Sequence, residues 1–315
     1  SRQMHTLMKA GVPIMRALAG LQESAMNRAF AAVIKDLREA LDSGRELSQA
    51  LARNPAVFGS FYVAMIRVGE TTGRLEEVFL QLFHHLEFQK YMKDQVKAAL
   101  RYPGFVVLAM AIALVIINIF VIPAFAKVFK GFNAELPLMT RILIGFSDFT
   151  LAWWPAILTL LVVAVFAFRL FVKTADGRLA WDRLKLRIPI AGKIIRKATL
   201  ARFARSFAMA ARSGVPIVQG LSLTGQVVEN AWIEKKLEDM RMGVERGESV
   251  LRTAVASGVF TPVVLQMVMV GEESGSLDDM MLEIADMYQR EVEYELKTLS
   301  AQIEPILIVA LGVMV

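Results

Sequence analysis

The sequence predicts an all-α protein in which two homologous six-helix bundle domains are each followed by a transmembrane helix. Three observations predict this fold: long uncharged apolar runs, motifs that recur at a nearly constant offset, and apolar residues at helical spacing. The apolar share of 55% exceeds the roughly 45–50% that is usual in soluble domains. Because the excess is concentrated in a few runs, it indicates a polytopic membrane protein with large water-exposed domains.

Two of the apolar runs are long enough to cross a lipid bilayer. Residues 105–122 and 149–168 contain no charged side chain, and each reaches the threshold of about 18 residues for a spanning helix. Trp153 and Trp154 suit the interface, where an amphipathic ring lies at headgroup depth. A third run, 305–315, is too short to cross as given. We expect it to be the truncated start of a third span, and we expect both chain ends to be truncations.

The distribution of Lys and Arg predicts the orientation. The segment between the two runs has fewer basic residues than the two flanks; it carries Lys127, Lys130 and Arg141. The flank before the first run carries Lys90, Lys93, Lys97 and Arg101. The flank after the second run carries Arg169, Lys173, Arg178, Arg183, Lys185 and Arg187. Because basic flanks stay on the cytoplasmic side, both large domains should lie in the cytoplasm. The expected divisions are a cytoplasmic domain (1–101), a span (102–124), a short periplasmic loop (125–148), a span (149–171), a second cytoplasmic domain (172–302) and the truncated span (303–315).

An internal repeat organises the chain. Gly11 and Pro13 recur as Gly214 and Pro216 at an offset of 203 residues. At an offset of 202, the second motif (Gly69, Glu70, Gly73 and Leu75) recurs as Gly271, Glu272, Gly275 and Leu277. Apolar residues that follow this motif have helical spacing, and no segment alternates as a strand would. Each copy is therefore predicted to be a helical bundle.

The second motif admits two interpretations. Gly69 and Gly271 are predicted to adopt positive φ and to end the preceding helix. The acidic pairs that follow, Glu76–Glu77 and Asp278–Asp279, then offset the positive end of the next helix dipole. This capping does not explain why Glu70 and Glu272 recur. They serve either the architecture of the fold or a contact between an exposed carboxylate and a partner or cation.

Composition and motifs exclude several kinds of chemistry. The chain has no cysteine, which removes disulfides and thiolate metal sites. His84 and His85 are adjacent and lack the spacing of a zinc site, and Ala191-Gly192-Lys193 lacks the rest of a phosphate-binding loop. The net charge of +6 includes no basic run long enough to indicate nucleic acid. We expect no catalytic residue, no metal and no cofactor.

The repeated motifs identify a family resemblance. Gly-Val-Pro and Gly-Glu-x-x-Gly-x-Leu both occur twice, Tyr102-Pro103 precedes the first span and Glu304-Pro305 precedes the third. The segment between the spans contains Glu135-Leu136-Pro137 and Thr140-Arg141. These features resemble the type II secretion F / type IV pilus C platform family over essentially the whole chain.

The resemblance implies a multi-pass protein of the bacterial inner membrane, with two cytoplasmic domains and three spans. Members are oligomers at the centre of an assembly machine, with a hexameric ATPase beneath and pilins or pseudopilins drawn from the bilayer. Other inner-membrane assembly proteins are expected partners. The expected role is to couple the ATPase to polymerisation. The start at Arg2-Gln3-Met4-His5-Thr6-Leu7 is similar to mannose-sensitive haemagglutinin pilus versions and favours a pilus, but the choice between pilus and secretion stays open.

Two polar residues lie at or near the apolar runs. Asn118 is within the first run, where such a side chain usually hydrogen-bonds to a neighbouring helix. The alternative is a contact with the transmembrane segment of a pilin. Glu304 precedes Pro305 at the third run, close enough to the interface for the carboxylate to reach water.

Two other classes of protein compete with this interpretation. A small membrane transporter subunit also combines repeats with membrane helices, and Asn118 would then line a path. Against it, the spans are few and no intramembrane charge marks a route. A membrane-anchored enzyme would need a cluster of polar residues that the sequence does not contain.

Overall fold

The computed structural model describes residues 1–131, 138–188 and 191–314. Some helical side chains also lie outside the description, among them those of Asn118 and Glu304 and most of those in 299–314. The chain divides into two compact units, Ser1–Asp94 with Asp182–Tyr294 and Gln95–Trp181 with Glu295–Val315. The first unit therefore contains most of both copies of the repeat.

The first copy is helical from its first residues. Within the described ranges it consists of six helices: α1 (Arg2–Lys9), α2 (Ile14–Ser24), α3 (Arg28–Asp42), α4 (Leu47–Ala52), α5 (Ser60–Thr72) and α6 (Leu75–Ile116). Local chemistry sets several of the ends. The Asn27 side chain accepts the Ala29 N–H at 2.9 Å and so caps α3, and Glu76 and Glu77 lie in the first turn of α6.

Between the copies the described chain is almost entirely helical. A π-helical turn at Ile117–Val121 leads into α7 (Ile122–Gly131), which is followed by α8 (Leu138–Lys173) and α9 (Ala175–Lys185). The predicted loop 125–148 includes residues 132–137, which lie outside the described residues.

Within the part of the chain that the structure describes, two helical segments are long and apolar enough to cross a membrane. They are Gly104–Phe125 and Ala152–Lys173, with mean hydropathies of 3.1 and 2.4. Both overlap the runs predicted from the sequence. None of either apolar stretch is buried inside the protein, whereas the core helix of a soluble protein would be mostly buried. The exposed apolar surface therefore favours a lipid environment.

The second copy repeats the order of the first. Its helices, in the described part of the chain, are α10 (Ala191–Arg212), α11 (Ile217–Gly225), α12 (Ala231–Glu245), α13 (Val250–Ser257), α14 (Pro262–Ser274) and α15 (Leu277–Met314). Asn230 caps α12 as Asn27 caps α3, with its Oδ1 accepting the Ile233 N–H at 3.0 Å. The predicted all-α fold with two homologous six-helix domains is confirmed.

The first repeated motif forms the same turn in both copies. Gly11 and Gly214 have φ of 75° and 86°, a conformation that costs glycine little because it has no Cβ. Pro13 and Pro216 follow, each as the residue before α2 and α11 with φ of −56°. The fixed proline φ then starts the next helix in a defined direction.

The hydrophobic core of the first copy extends into the second. Met65, Ile66 and Leu82 are fully buried in it, and Met209 and Val215 of the second copy belong to the same cluster. Helix α11 contacts α5 directly. The two copies therefore share apolar surface within the first unit.

In the second unit, α9 turns back against the end of α8 at a glycine. A Cβ on Gly177 would come within 1.9 Å of the Phe171 carbonyl oxygen. The Gly177 N–H donates to Thr174 Oγ1 at 3.1 Å, and the Trp181 ring meets Phe168 edge-on with centroids 4.8 Å apart. This corner needs a residue without a side chain.

Replacing Gly177 with alanine should lower the melting temperature of the detergent-solubilised chain. The added methyl overlaps backbone, so the corner must open, at a cost of about 1–3 kcal/mol. Gly104→Ala is the matched control, because no atom lies within 4 Å of its Cβ position in α6. Alanine is the better helix former, so the control should melt at the same or a higher temperature. Equal melting temperatures for the two variants would contradict the role of Gly177.

Candidate functional site

The second repeated motif forms a corner between two helices in each copy. We call residues 69–75 and 271–277 the glycine–glutamate corners. In the first copy the corner joins the end of α5 to the start of α6, and in the second it joins α14 to α15. Leu75 and Leu277 are the first residues of α6 and α15.

The second glycine of each corner ends the helix. Gly73 and Gly275 have φ of 71° and 70°, the left-handed conformation common just after a helix. In the first copy the Arg74 N–H donates to the Gly69 carbonyl at 2.9 Å, which closes the turn. The prediction that Gly69 and Gly271 take this role was wrong, because both lie inside a helix and do not have positive φ.

The first glycine of each corner instead permits close helix packing. Gly69 and Gly271 are buried, and a Cβ on Gly69 would lie 3.1 Å from the Leu75 side chain. On Gly271 it would lie 3.0 Å from the Leu277 Cα, which is backbone and cannot move aside. The glycine therefore sets how closely the two helices of the corner approach.

The glutamate of each corner caps a third helix. Both carboxylate oxygens of Glu70 accept backbone N–H groups at the start of α4, from Leu47 and, at 3.0 Å, from Ser48. Glu272 does the same for α13, accepting the N–H groups of Val250 at 2.6 Å and Leu251 at 2.9 Å. The first N–H groups of a helix have no partner within the helix and form the positive end of its dipole. A carboxylate therefore both accepts their hydrogen bonds and offsets the dipole.

This geometry favours one of the two interpretations of the glutamates. Glu70 and Glu272 are half-buried, and both oxygens of each carboxylate are already bonded to amides. A cation or partner at these oxygens would compete with the amides. The structure therefore supports the architectural interpretation. In the described residues, no group of three or more His, Asp or Glu side chains is arranged to hold a metal ion.

The contact between the copies includes His85, for which the sequence predicted no metal-binding or catalytic role. His85 is 5% exposed, its ring centroid lies 4.9 Å from that of Phe61, and its Nε2 is 2.9 Å from the Gln89 amide nitrogen. Burial, together with the positive charges of Arg205 and Arg202, lowers the pKa of His85 to about 4. His85 is therefore neutral at neutral pH.

Arg205 of the second copy links to the first copy near this histidine. Its guanidinium lies 4.3 Å from the centroid of the Phe88 ring and is paired with Asp286. Nearby, the Ser213 hydroxyl donates to Gln81 Oε1 at 2.7 Å, and the Tyr91 hydroxyl donates to Glu293 at 3.0 Å. Sequence spacing could not have shown the pairs that join the two copies, because Ser213–Gln81 and Tyr91–Glu293 are 132 and 202 positions apart.

The remaining predicted residues belong to the first apolar segment and to α15. The backbone of Asn118 lies in the π-helical turn, but its side chain lies outside the described residues, as does that of Glu304. Pro305 is inside α15 and exposed.

Two matching six-helix copies and two exposed apolar helices define a duplicated helical protein suited to a membrane. The family model described as type II secretion system (T2SS), protein F, matches residues 1–123 and 203–315. The chain belongs to this family.

Named relatives come from both branches of the family. The chain is 37% identical to the type IV pilus assembly protein PilC of Thermus thermophilus, over 100% of this chain and 78% of that protein. It is 32% identical to the type IV pilus assembly protein PilC of Pseudomonas aeruginosa, over 100% and 84%. It is 30% identical to the type II secretion system protein F of the same species, over 100% and 78%.

Replacing Glu272 with glutamine should destabilise the second copy. The variant keeps one acceptor oxygen but loses the charge on the start of α13, so we expect a loss of about 1–2 kcal/mol and a lower melting temperature. Glu70→Gln should destabilise the first copy in the same way, because it weakens the cap on α4. Glu273→Gln, at an exposed neighbouring position, is the matched control and should change little. If Glu272→Gln and Glu273→Gln have the same melting temperature, Glu272 does not have the capping role.

The buried histidine should make stability depend on pH. An unfolded histidine titrates near 6.5, but His85 in the folded chain titrates at about 4. As the pH falls between these values, the unfolded chain binds a proton that the folded chain refuses, so the free energy of unfolding should fall by about 3 kcal/mol. Melting temperatures measured from about pH 7 down to about pH 4 check this. His85→Gln should show a shallower decline, and an unchanged decline would contradict the assignment.

Proposed function

We propose that this chain is an inner-membrane platform protein of a type IV pilus or type II secretion machine. In this role it couples a cytoplasmic assembly ATPase to the polymerisation of pilins or pseudopilins. The observation that supports the proposal most is the glycine–glutamate corner, present with the same geometry in both copies of a chain that belongs to the T2SS protein F family. The relatives described above are named for pilus assembly and for type II secretion, and we extend that role to this chain.

The proposed topology places both six-helix domains in the cytoplasm. The basic flanks of the two apolar helices support this orientation. A third span would begin near 303, and the division into domains follows the boundaries predicted from the sequence. The other proposed partners are further inner-membrane assembly proteins, the lipid bilayer and additional copies of this chain.

The proposed coupling uses the last helix of each copy. α6 runs from the first corner to Ile116, and α15 runs from the second corner to Met314. Each of these helices begins in a well-packed corner and contains apolar residues suited to a membrane. Packed interiors are stiff, so a displacement applied to a domain would be passed on rather than absorbed. Asn118 on the first apolar segment stays a candidate for helix packing or for contact with a pilin.

Deletion of the gene should remove surface fibres, and a plasmid copy should restore them. Electron microscopy of fibres is the measurement, with secretion of a type II substrate assayed in the same strains. Loss of secretion with intact fibres would assign the secretion branch. If both activities persisted in the deletion strain, the platform proposal would fall. Solute flux in vesicles reconstituted with the chain would then favour the transporter.

Complementation with point variants tests the coupling. The double variant Glu70→Gln, Glu272→Gln should reach the membrane at a normal level but restore few fibres, because both copies are loosened at α4 and α13. Glu273→Gln should restore fibres fully. Normal fibre output from the double variant, at equal membrane level, would contradict the role of the corners in coupling.

A further inference from the structure

A half-open cavity of about 230 Å³ lies where the two copies meet. α6 of the first copy contributes Gln81, His84 and His85 to its lining, and α10 of the second copy contributes Arg205 and Arg212. The cavity is much larger than the share of one water molecule, about 30 Å³, and smaller than the roughly 300–1,000 Å³ of sites for drug-sized ligands. Its volume therefore suits a small ligand.

The lining of the cavity is cationic. Among the described residues that line it, Arg205 and Arg212 bring positive charge and none is acidic. The carboxylates paired with these arginines belong to side chains that are between 32% and 58% exposed, and they are Asp278, Asp279 and Asp286. Water screens carboxylates at such exposed positions. The electrostatic potential of the cavity therefore favours an anion.

Arg205 has an unused hydrogen-bond donor at this cavity. Its bonds to Asp286 and, at 3.1 Å, to Gln289 both leave from Nη2, whereas the buried Nε has no hydrogen-bond partner among the described residues. The guanidinium carbon lies 4.3 Å from the centroid of the Phe88 ring, a contact that orients the planar group. A guanidinium held in this way presents its N–H groups as a fork, which suits two oxygens of one oxyanion.

His85 contributes a second unused donor. It is 5% exposed, and its Nδ1 has no hydrogen-bond partner in the part of the chain that the structure describes. Because the Gln89 amide nitrogen donates to Nε2 at 2.9 Å, the proton of the neutral ring is assigned to Nδ1. A buried donor without an acceptor is destabilising, and an oxygen of a ligand would remove that cost.

The described side chains of the lining offer few acceptors in return. Gln81 Oε1 already accepts a hydrogen bond from the Ser213 hydroxyl at 2.7 Å. A water molecule both donates and accepts, so it needs acceptors as well as donors. An oxyanion needs donors alone, and the lining supplies them from two helices.

We propose that this cavity binds a phosphate-class oxyanion, either free phosphate or the phosphate group of a small monoester. Its oxygens accept hydrogen bonds from Arg205, Arg212 and His85. A carboxylate has two oxygens in one plane, whereas a phosphate directs its oxygens several ways and meets donors on both α6 and α10. Since the arginines belong to the second copy and His85 belongs to the first, the bound anion joins the two copies.

Isothermal titration calorimetry of the detergent-solubilised full chain tests the site, with inorganic phosphate as the probe and ionic strength held constant with chloride. The unchanged chain should bind phosphate saturably. Arg205→Gln removes a charge-assisted hydrogen bond and should raise the dissociation constant about tenfold or more. Arg241→Gln is the matched control, because Arg241 also pairs with two carboxylates, those of Glu238 and Glu245, but lies outside the lining. It should leave the affinity for phosphate unchanged.

A second variant keeps the test decisive if the loss of Arg205 disturbs folding. Arg212→Gln removes the other positive charge at a side chain that is 42% exposed, so the melting temperature without phosphate should stay close to that of the unchanged chain. Its affinity for phosphate should nevertheless fall.

Glycerol 3-phosphate in the same titration distinguishes the two sources of the phosphate group. Tighter binding than that of inorganic phosphate would assign the site to a monoester, and weaker binding would assign it to free phosphate. The proposal is overturned if neither probe binds saturably, or if Arg212→Gln binds both probes as tightly as the unchanged chain does. Because the titration measures binding rather than fibre output, its result is independent of the platform function.

Discussion

Each six-helix domain depends on one carboxylate that reaches from the end of one helix to the start of another. Glu70 and Glu272 accept the first N–H groups of α4 and α13, which are six and eight residues long. Helices this short are not stable alone, so their position is set by what caps and packs them. The glycines of the corner make the cap possible, since Gly69 and Gly271 bring two helices close and Gly73 and Gly275 turn the chain. Glycine, glutamate and glycine therefore act as one unit, which accounts for their joint recurrence.

The sequence was sufficient to predict the helical class, the duplication and the apolar spans. These depend on periodicity and on motif spacing, which are local properties of the chain. It was not sufficient for the corner, where Gly69 was expected to end α5 and Gly73 does so instead. Either glycine can end a helix by local chemistry, and only the buried approach of α5 to α6 separates their roles. The capping partners of Glu70 lie 22 and 23 residues back in the chain, so no local pattern identifies them.

The contact between the copies could not be predicted from local sequence patterns either. His85 appeared in the sequence as one of two adjacent histidines without the spacing of a metal site. In the structure its neighbours include Phe61 and the charges of Arg202 and Arg205, which come from distant parts of the chain. The duplication also conceals a difference: α11 covers α5, but the matching face of α14 is open. Two copies that fold alike can thus present different surfaces, one covered within the chain and one exposed.

Hydrogen–deuterium exchange of the full chain tests the central claim most directly. The first amides of a helix normally exchange quickly because nothing in the helix accepts them. If Glu272 caps α13, the amides of Val250 and Leu251 should exchange far more slowly than those of Ile217 and Val218, at the start of α11, where the described structure has no side-chain cap. Equal exchange rates at the two helix starts would show that the carboxylate is not held on α13, and the account of the corner would be wrong.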